Sequence, residues 1–296
     1  MLNLTAPLLL ALTFSGFLAG IIGALVGIGG GLILVPLLVL GFGLDIKIAV
    51  ATSLIAVIAS STTAGSVYIG KGLTNMRLGM CLEIATTLGG ISGSLIAVFI
   101  SAQVMTALFS VLMLITSILV LCSKDPHPPG PRSSEMLQVP PGAPLTGYES
   151  SGQLGGAYYD PLLQMLIPYR AVRLPLGGGV SFLAGILSGM LGVGGGFMKV
   201  PAMTLGMNVP IKVAAATSNF MIGVTAVSSL FVYFARGLVY PLIAAPIAVG
   251  VIGGSLYGTV LSQRISPKSL RRILSAILVG VALQMSLKTL GVSFGE

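Results

Sequence analysis

Residues 17–73 lie over residues 182–238 at a constant offset of 165 without a gap, and 23 of the 57 positions are identical. FLAGI recurs at Phe17 to Ile21 and Phe182 to Ile186, and GIGGG at Gly27 to Gly31 becomes GVGGG at Gly192 to Gly196. Val35-Pro36 returns as Val200-Pro201, Ile46-Lys47 as Ile211-Lys212, and AxATS ends at Ser53 and again at Ser218. A chain duplicated in this way builds one fold from two homologous halves. In both halves the same glycine cluster interrupts the same apolar run.

With 55% hydrophobic and 7% charged residues and a mean hydropathy of +1.04, the chain holds too little polar material to cover a soluble globule. Apolar runs fall at roughly 7–42, 46–70, 76–100 and 103–122, then at 174–206, 210–236, 239–263 and 268–290. Most match the ~20 residues that cross a hydrocarbon core as helix, and the short alternating segments of a barrel are absent. The expected class is an all-α polytopic membrane protein of eight to ten membrane segments, held in a lipid bilayer. The net charge of +8 is scattered through short connections and forms no stripe with aromatic neighbours, so nucleic acid is not an expected partner. Cys81 and Cys122 lie in separate apolar runs, which favours plain packing over a metal or redox role. No basic segment precedes the first run, which is expected to be retained as a helix.

Residues 123–173 differ in kind. DPHPPGPRSSE, VPPGAPLTG and SSGQLGG cannot bury enough apolar area to offset ordering, so a flexible linker is expected between membrane repeats at 1–122 and 174–296. His127, the only histidine, sits in the HPPGP of this linker and is expected to be solvated. Tyr158, Tyr159, Leu162, Leu163, Leu166, Ile167 and Tyr169 near its end suit a membrane interface.

Basic residues decide the topology. With four crossings per half they split eight against six between the two sides. If the glycine breaks turn the chain back, each half has five segments. One side then carries Lys71, Arg77, Lys124, Arg132, Arg170, Arg173, Lys212, Arg264, Lys268, Arg271 and Arg272, against Lys47, Arg236 and Lys288 on the other. That asymmetry is what the positive-inside rule requires. It places the linker in the cytoplasm and both termini outside, and an odd number of segments makes the repeats inverted. Residues 32–42 are short for a span, so a broken or re-entrant element is expected there, with irregular backbone lining a cavity.

Neither of two familiar uses of glycine accounts for the triplets. A dinucleotide fingerprint would need a preceding strand and an acidic residue about twenty positions on, where Val50 stands. Close helix packing suits Gly16/Gly20, Gly23/Gly27, Gly89/Gly93 and Gly250/Gly254/Gly258, but three consecutive glycines cost helix stability and free backbone N–H groups. The helices after Gly31 and Gly196 would aim such groups, with a partial positive charge, at the membrane interior, where they bind anions. Pro36 and Pro201 weaken those helices a few residues in. Thr52-Ser53 and Thr217-Ser218-Asn219 follow; their hydroxyls either line the site or bond back to their own helices. The candidate substrate-binding residues are therefore Gly29, Gly30, Gly31, Pro36, Thr52, Ser53, Gly194, Gly195, Gly196, Lys199, Pro201, Thr217, Ser218 and Asn219.

Charges within the apolar runs are few. Lys199 replaces Leu34 of the first repeat and is positioned either to attract an anion or to snorkel to an interface. Glu83 is a candidate for proton coupling, or an interfacial partner of Arg77. Tyr68 and Tyr233, related by the repeat, suit interface anchors.

GIGGGLILVP with AVATS, repeated as GVGGGFMKVP with AAATSN, resembles the TauE/SafE-type sulfite and organosulfonate exporter family, the TSUP permeases. The likeness covers both halves and leaves out only residues 123–173. It implies a permease of a bacterial or archaeal inner membrane, moving small sulfur-containing anions such as sulfite, sulfoacetate or taurine, generally outward. The family's motif positions fall on Gly29, Gly30, Gly31, Pro36, Thr52 and Ser53, and on Gly194, Gly195, Gly196, Pro201, Thr217, Ser218 and Asn219. With Leu54 opposite Asn219 and Leu34 opposite Lys199, the site need not be symmetric. A sulfonate suits the site because opposed helix starts with hydroxyls between them replace its hydration. An anion channel using the same helix ends is the alternative. No nucleophile and base pair or metal-ligand cluster lies in the apolar runs, so no enzyme activity and no cofactor are expected. A homo-oligomer is compatible with the sequence.

Overall fold

The computed structural model describes residues 6–26, 29–122, 154–160, 165–261 and 267–289. The first half holds α1 (Ala6–Val26), the short α2 (Gly31–Pro36) running into a π turn at Leu37–Gly41, then α3 (Ile46–Gly70), α4 (Met76–Phe99) and α5 (Ala102–Cys122). After a hairpin of β1 (Gly156–Asp160) and β2 (Met165–Tyr169), the same order returns: α6 (Leu174–Leu191), α7 (Gly196–Pro201) with a π turn at Ala202–Gly206, α8 (Ile211–Ala235), α9 (Pro241–Leu261) and α10 (Pro267–Thr289). Seven helices among the described residues are long and apolar enough to cross a membrane, and Gly31–Gly41 is a shorter apolar helix. On α4, Met80, Ile84, Leu88, Ile91 and Leu95 are exposed at helical spacing, an apolar stripe that only lipid or protein can cover.

Helix ends follow local chemistry. The Asp45 carboxylate accepts from the Lys47 N–H at 2.8 Å to start α3, and Asn75 Oδ1 accepts from the Leu78 N–H at 3.0 Å to start α4. Both π turns begin directly after a proline, where the missing N–H opens the regular ladder. They close alike: Leu44 N–H donates to Leu38 O at 3.1 Å, and the repeat-related Val209 N–H to Met203 O at 2.9 Å.

Small residues set the helix pairing, and the pairing crosses between halves. A Cβ on Gly250, Gly254 or Gly258 of α9 would meet Thr13, Phe17 or Ile21 of α1 in turn, so α1 and α9 run in the same direction. One repeat away, Gly89 meets Phe182 and Gly93 meets Ile186, so α4 and α6 also run parallel. These contacts match at the offset of 165: Gly254 with Phe17 answers Gly89 with Phe182, and Gly258 with Ile21 answers Gly93 with Ile186. Backbones pack this closely only without side chains between them. Gly89→Leu and Gly254→Leu are each expected to cut the monodisperse fraction in detergent several-fold, whereas Gly65, which has nothing within 4 Å of an added Cβ, should accept leucine. Size-exclusion profiles of the three variants test this.

The direction of α8 follows from α4. Asn75 meets Thr217, Gly79 meets Thr217 and Phe220, and Gly90 meets Thr225 and Ser229, so α4 and α8 run the same way. Short connections make α3 antiparallel to α4 and α9 antiparallel to α8. Hence α3 opposes its counterpart α8, and α1, parallel to α9, runs with α3. The chain therefore turns back at each glycine break and returns through the short helix.

The tail of the expected linker is not all loop. β1 and β2 pair antiparallel with Tyr158 opposite Ile167, and Tyr158, Ile167 and Ala171 pack on Met203, Met207 and Val209. Tyr158, Leu166 and Ile167 are buried, so this short apolar stretch packs on the bundle despite the proline- and glycine-rich composition upstream. The Asn75 amide nitrogen donates to Tyr169 Oη at 2.9 Å, and Val172 N–H donates to Met207 O at 3.0 Å, tying the hairpin to the end of the bundle that carries Lys71, Arg77 and Lys212. At the opposite end Lys47 Nζ donates to Val98 O at 2.8 Å, and Arg236 lies over the Phe99 ring. His127 and the rest of 123–153 lie outside the described residues, as does the side chain of Cys122; Cys81 is exposed.

Candidate functional site

Both glycine clusters are true breaks. Gly29 and Gly30 have φ of 85° and 59°, and Gly194 and Gly195 have 81° and 70°, left-handed values that favour glycine. Gly30 and Gly195 precede α2 and α7, and their carbonyls accept the first intrahelical bonds, from Ile33 and Leu34 and from Met198 and Lys199. The amides of Leu32, Gly196 and Phe197 come before those donors, among the groups that a helix start leaves without an intrahelical acceptor. Pro36 is buried and Pro201 exposed, each at the junction with its π turn.

The two breaks meet. A Cβ on Gly31 would strike the Gly192 carbonyl and Val57, and the Ser53 hydroxyl of α3 shares its proton between the Val50 carbonyl of its own helix at 2.8 Å and that same Gly192 carbonyl at 3.1 Å. Gly29 faces Val57 of α3 and Ile222 of α8, which are themselves repeat-related. Residues 29–31 and 192–196 thus share one locus with the N-terminal halves of α3 and α8. Ser53→Ala should raise the mobility of the second break and lower stability by ~1 kcal/mol. Thr62→Ala is the control, because the Thr62 hydroxyl is exposed and donates only to the Ile58 carbonyl of its own helix. Thermal unfolding of both variants in detergent reads the difference.

Other hydroxyls divide by role. Thr52, Ser218 and Ser188 are buried with side-chain oxygens that have no hydrogen-bond partner. Ser188 stands beside Gly195, where its Cβ lies 3.4 Å from the position of an added Cβ. Thr217 is engaged elsewhere: its Oγ1 accepts from the Asn75 N–H at 3.0 Å, securing the connection between α3 and α4. Asn219 is buried two positions further on. Nothing in the sequence singles out Ser188, since Gly23 occupies its place in the first repeat.

Lys199 and Glu83 share one polar cluster. Lys199 is 1% exposed, and its Nζ donates to Thr225 Oγ1 at 3.3 Å. Thr225 in turn donates to Glu83 Oε1 at 2.7 Å, the shorter of its two acceptors, the other being the Met221 carbonyl of its own helix at 3.0 Å; Thr87 donates to the same carboxylate oxygen at 3.1 Å, while Glu83 Oε2 is buried without a partner. Lys199 therefore does not snorkel, and Glu83 turns inward from α4. Thr225, the link, lies one further helical repeat along the face of Ser218 and Ile222, a spacing that could have marked it. Tyr233 also turns inward: its hydroxyl lies 3.0 and 3.2 Å from the carbonyls of Gly189 and Met190, just ahead of the second break, and not at an interface. Among the described residues no group of three His, Cys, Asp or Glu side chains could hold a metal ion.

The chain is similar to a probable membrane transporter protein, YunE, of Bacillus subtilis, 24% identical over 91% of this chain and 94% of that protein. It is also similar to the probable membrane transporter protein MJ0441 of Methanocaldococcus jannaschii, 28% identical over 96% of both. Sulfite exporter TauE/SafE family protein 5 of Arabidopsis thaliana is 36% identical over 39% of this chain and 25% of its own length. No solved structure matches. The family described as Sulfite exporter TauE/SafE matches residues 12–285, nearly the whole bundle with both breaks, and the chain belongs to this family of membrane transporters.

Proposed function

We propose that the chain is a secondary transporter that exports small sulfur-containing anions, sulfite or organosulfonates, by alternating access at the paired breaks. The observation that carries this reading is the meeting of the two left-handed glycine turns at one locus, with Ser53 bonded across it and Thr52, Ser188 and Ser218 buried nearby without partners. Helix starts favour negative charge, and spare hydroxyls donate to an oxyanion that has left its water behind. A sulfonate or sulfite offers three oxygens to such donors. The description of the family and the names of the Arabidopsis relatives support the sulfur chemistry.

Opposed directions of α3 and α8 support repeats inverted across the bilayer, the arrangement that lets one site open to either side. Lys71, Arg77 and Lys212 at the hairpin end then mark the cytoplasmic face, with the linker inside and the termini outside. Cysteines placed in the linker of a chain lacking Cys81 and Cys122 are expected to resist a membrane-impermeant reagent in intact cells; ready labelling would invert this orientation. The cargo is tested with purified protein in liposomes, by counterflow of sulfite, sulfoacetate, taurine, sulfate and thiosulfate. Saturable exchange restricted to sulfur anions is expected. Unsaturable conductance would instead make the protein a channel, and transport of a cation would end the reading.

A further inference from the structure

We propose that Glu83 and Lys199 are a coupling pair. The carboxylate holds the lysine while the site is empty, and a proton taken up by Glu83 releases Lys199 to the anion, so that proton and anion cross together. This rests on the reading that the chain carries small anions past the second break.

The cluster lies where such an exchange is needed. Lys199 sits in the first turn of α7, its own N–H bonded to the Gly195 carbonyl, so its side chain starts at the break. Its head reaches α8 at Thr225, and through that hydroxyl it meets Glu83 of α4. One hydroxyl thus accepts from the ammonium and donates to the carboxylate. Glu83 Oε1 takes both available donors, Thr225 and Thr87, and Oε2 takes none. A proton can therefore bind Oε2 without breaking a bond already made.

The pair also spans the two halves: Glu83 and Thr87 come from the first, Lys199 and Thr225 from the second. At the offset of 165 their counterparts are Ala248, Ile252, Leu34 and Ser60, none of them ionisable, so the repeat does not supply a second such pair. The other ionisable side chains on the helices packed around it are Lys47 and Tyr68 on α3, Arg77 and Cys81 on α4, and Lys212 and Tyr233 on α8; α6 has none. None of these is a carboxylate.

Charge balance explains why the two ligands must move together. The empty site holds one ammonium and one carboxylate and is neutral. A monovalent anion bound to Lys199 leaves it neutral only if Glu83 has gained a proton, drawn from water on the loading side and returned to water on the other. Loading the anion alone would carry an uncompensated charge through the protein interior, which is costly in a bilayer. No other bond forms or breaks.

The experiment uses the wild-type protein in liposomes with a trapped pH-sensitive dye. Methanesulfonate and sulfite are compared, because the sulfonate has a fixed single charge and sulfite brings protons of its own. Movement of one proton with each sulfonate, in the same direction and indifferent to an imposed voltage, is the expected result; sulfonate flux without proton movement overturns the proposal. E83Q should lose net flux, and the luminal acidification that goes with it, at least ~10-fold, since its empty form carries a bare ammonium, while anion exchange survives. If neither anion moves in the wild type, the transport reading fails on its own. The pair is then decided without a cargo, by infrared difference spectra of wild type minus E83Q between about pH 9 and pH 4. A carboxylic acid band that appears and vanishes reversibly supports it, and a carboxyl that keeps one form throughout overturns it.

Discussion

Gly195→Ala and Gly30→Ala are expected to reduce anion exchange ~10- to 100-fold while leaving the protein inserted and monodisperse. Both residues hold a left-handed conformation, which costs an L side chain ~1–2 kcal/mol. Space adds to that cost. A Cβ on Gly195 would lie 2.9 Å from the Ala184 carbonyl oxygen, and one on Gly30 would lie 3.0 Å from the repeat-related Ala19 carbonyl. The obstacle in each case is helix backbone, which cannot swing aside as a side chain would. The break must therefore unwind or tilt, and the amides that start α2 or α7 change direction with it. Gly65→Ala and Gly178→Ala are the controls, because both sites have an unstrained helical backbone with open space around them. There alanine should stabilise by ~0.5–1 kcal/mol. Initial rates of counterflow, normalised to protein recovered in liposomes, make the comparison. Full rates with Gly195→Ala would show that the backbone at the second break does not bind the cargo.

How much of this was legible in the sequence depends on whether a feature is local. The glycine breaks were legible because three adjacent glycines in an apolar run have no use in a continuous helix, and the lengths of α3, α4, α5 and α8 follow from hydropathy alone. The basic residues led to the same expectation of a reversal at each break, because a five-segment repeat would gather them on one side. Facing was not. Tyr233 is apolar-flanked on a helix that is apolar nearly all round, so no periodicity told that its hydroxyl points to Gly189 and not to an interface. Thr217 looked like a site residue because it pairs with Thr52 in the repeat. Its bond to the Asn75 amide arises from a neighbour, α4, whose position the repeat does not encode. Glu83 and Lys199 stood as two separate oddities for the same reason: they meet only because α4 lies alongside α8, with Gly90 allowing Thr225 to approach.

Lys199→Gln is expected to destabilise the protein by ~3–5 kcal/mol. The loss does not measure the strength of the pair. It measures what remains: an ionised Glu83, 7% exposed, with two hydroxyl donors on one oxygen and nothing on the other. Glu83→Gln should cost a similar amount for the mirror reason, since the Lys199 ammonium then keeps only the Thr225 hydroxyl. Combining the two removes both charges, and two neutral amides of similar length can bridge Thr225 between them. The double variant should therefore recover much of the loss, giving a coupling energy of roughly 2 kcal/mol or more in a double-mutant cycle. Thermal unfolding of the four proteins in one detergent supplies the cycle. Additive losses would mean that the two groups do not sense each other as charges, and would remove the basis for an exchange of partners at Lys199. The first repeat supplies the reference for an uncharged break: with Leu34 in the lysine's place and Ala248 in the glutamate's, α2 packs against α3 with no buried charge to compensate. Leu34→Gln should accordingly cost less than Lys199→Gln, because it introduces one polar amide where the other substitution strands a full charge.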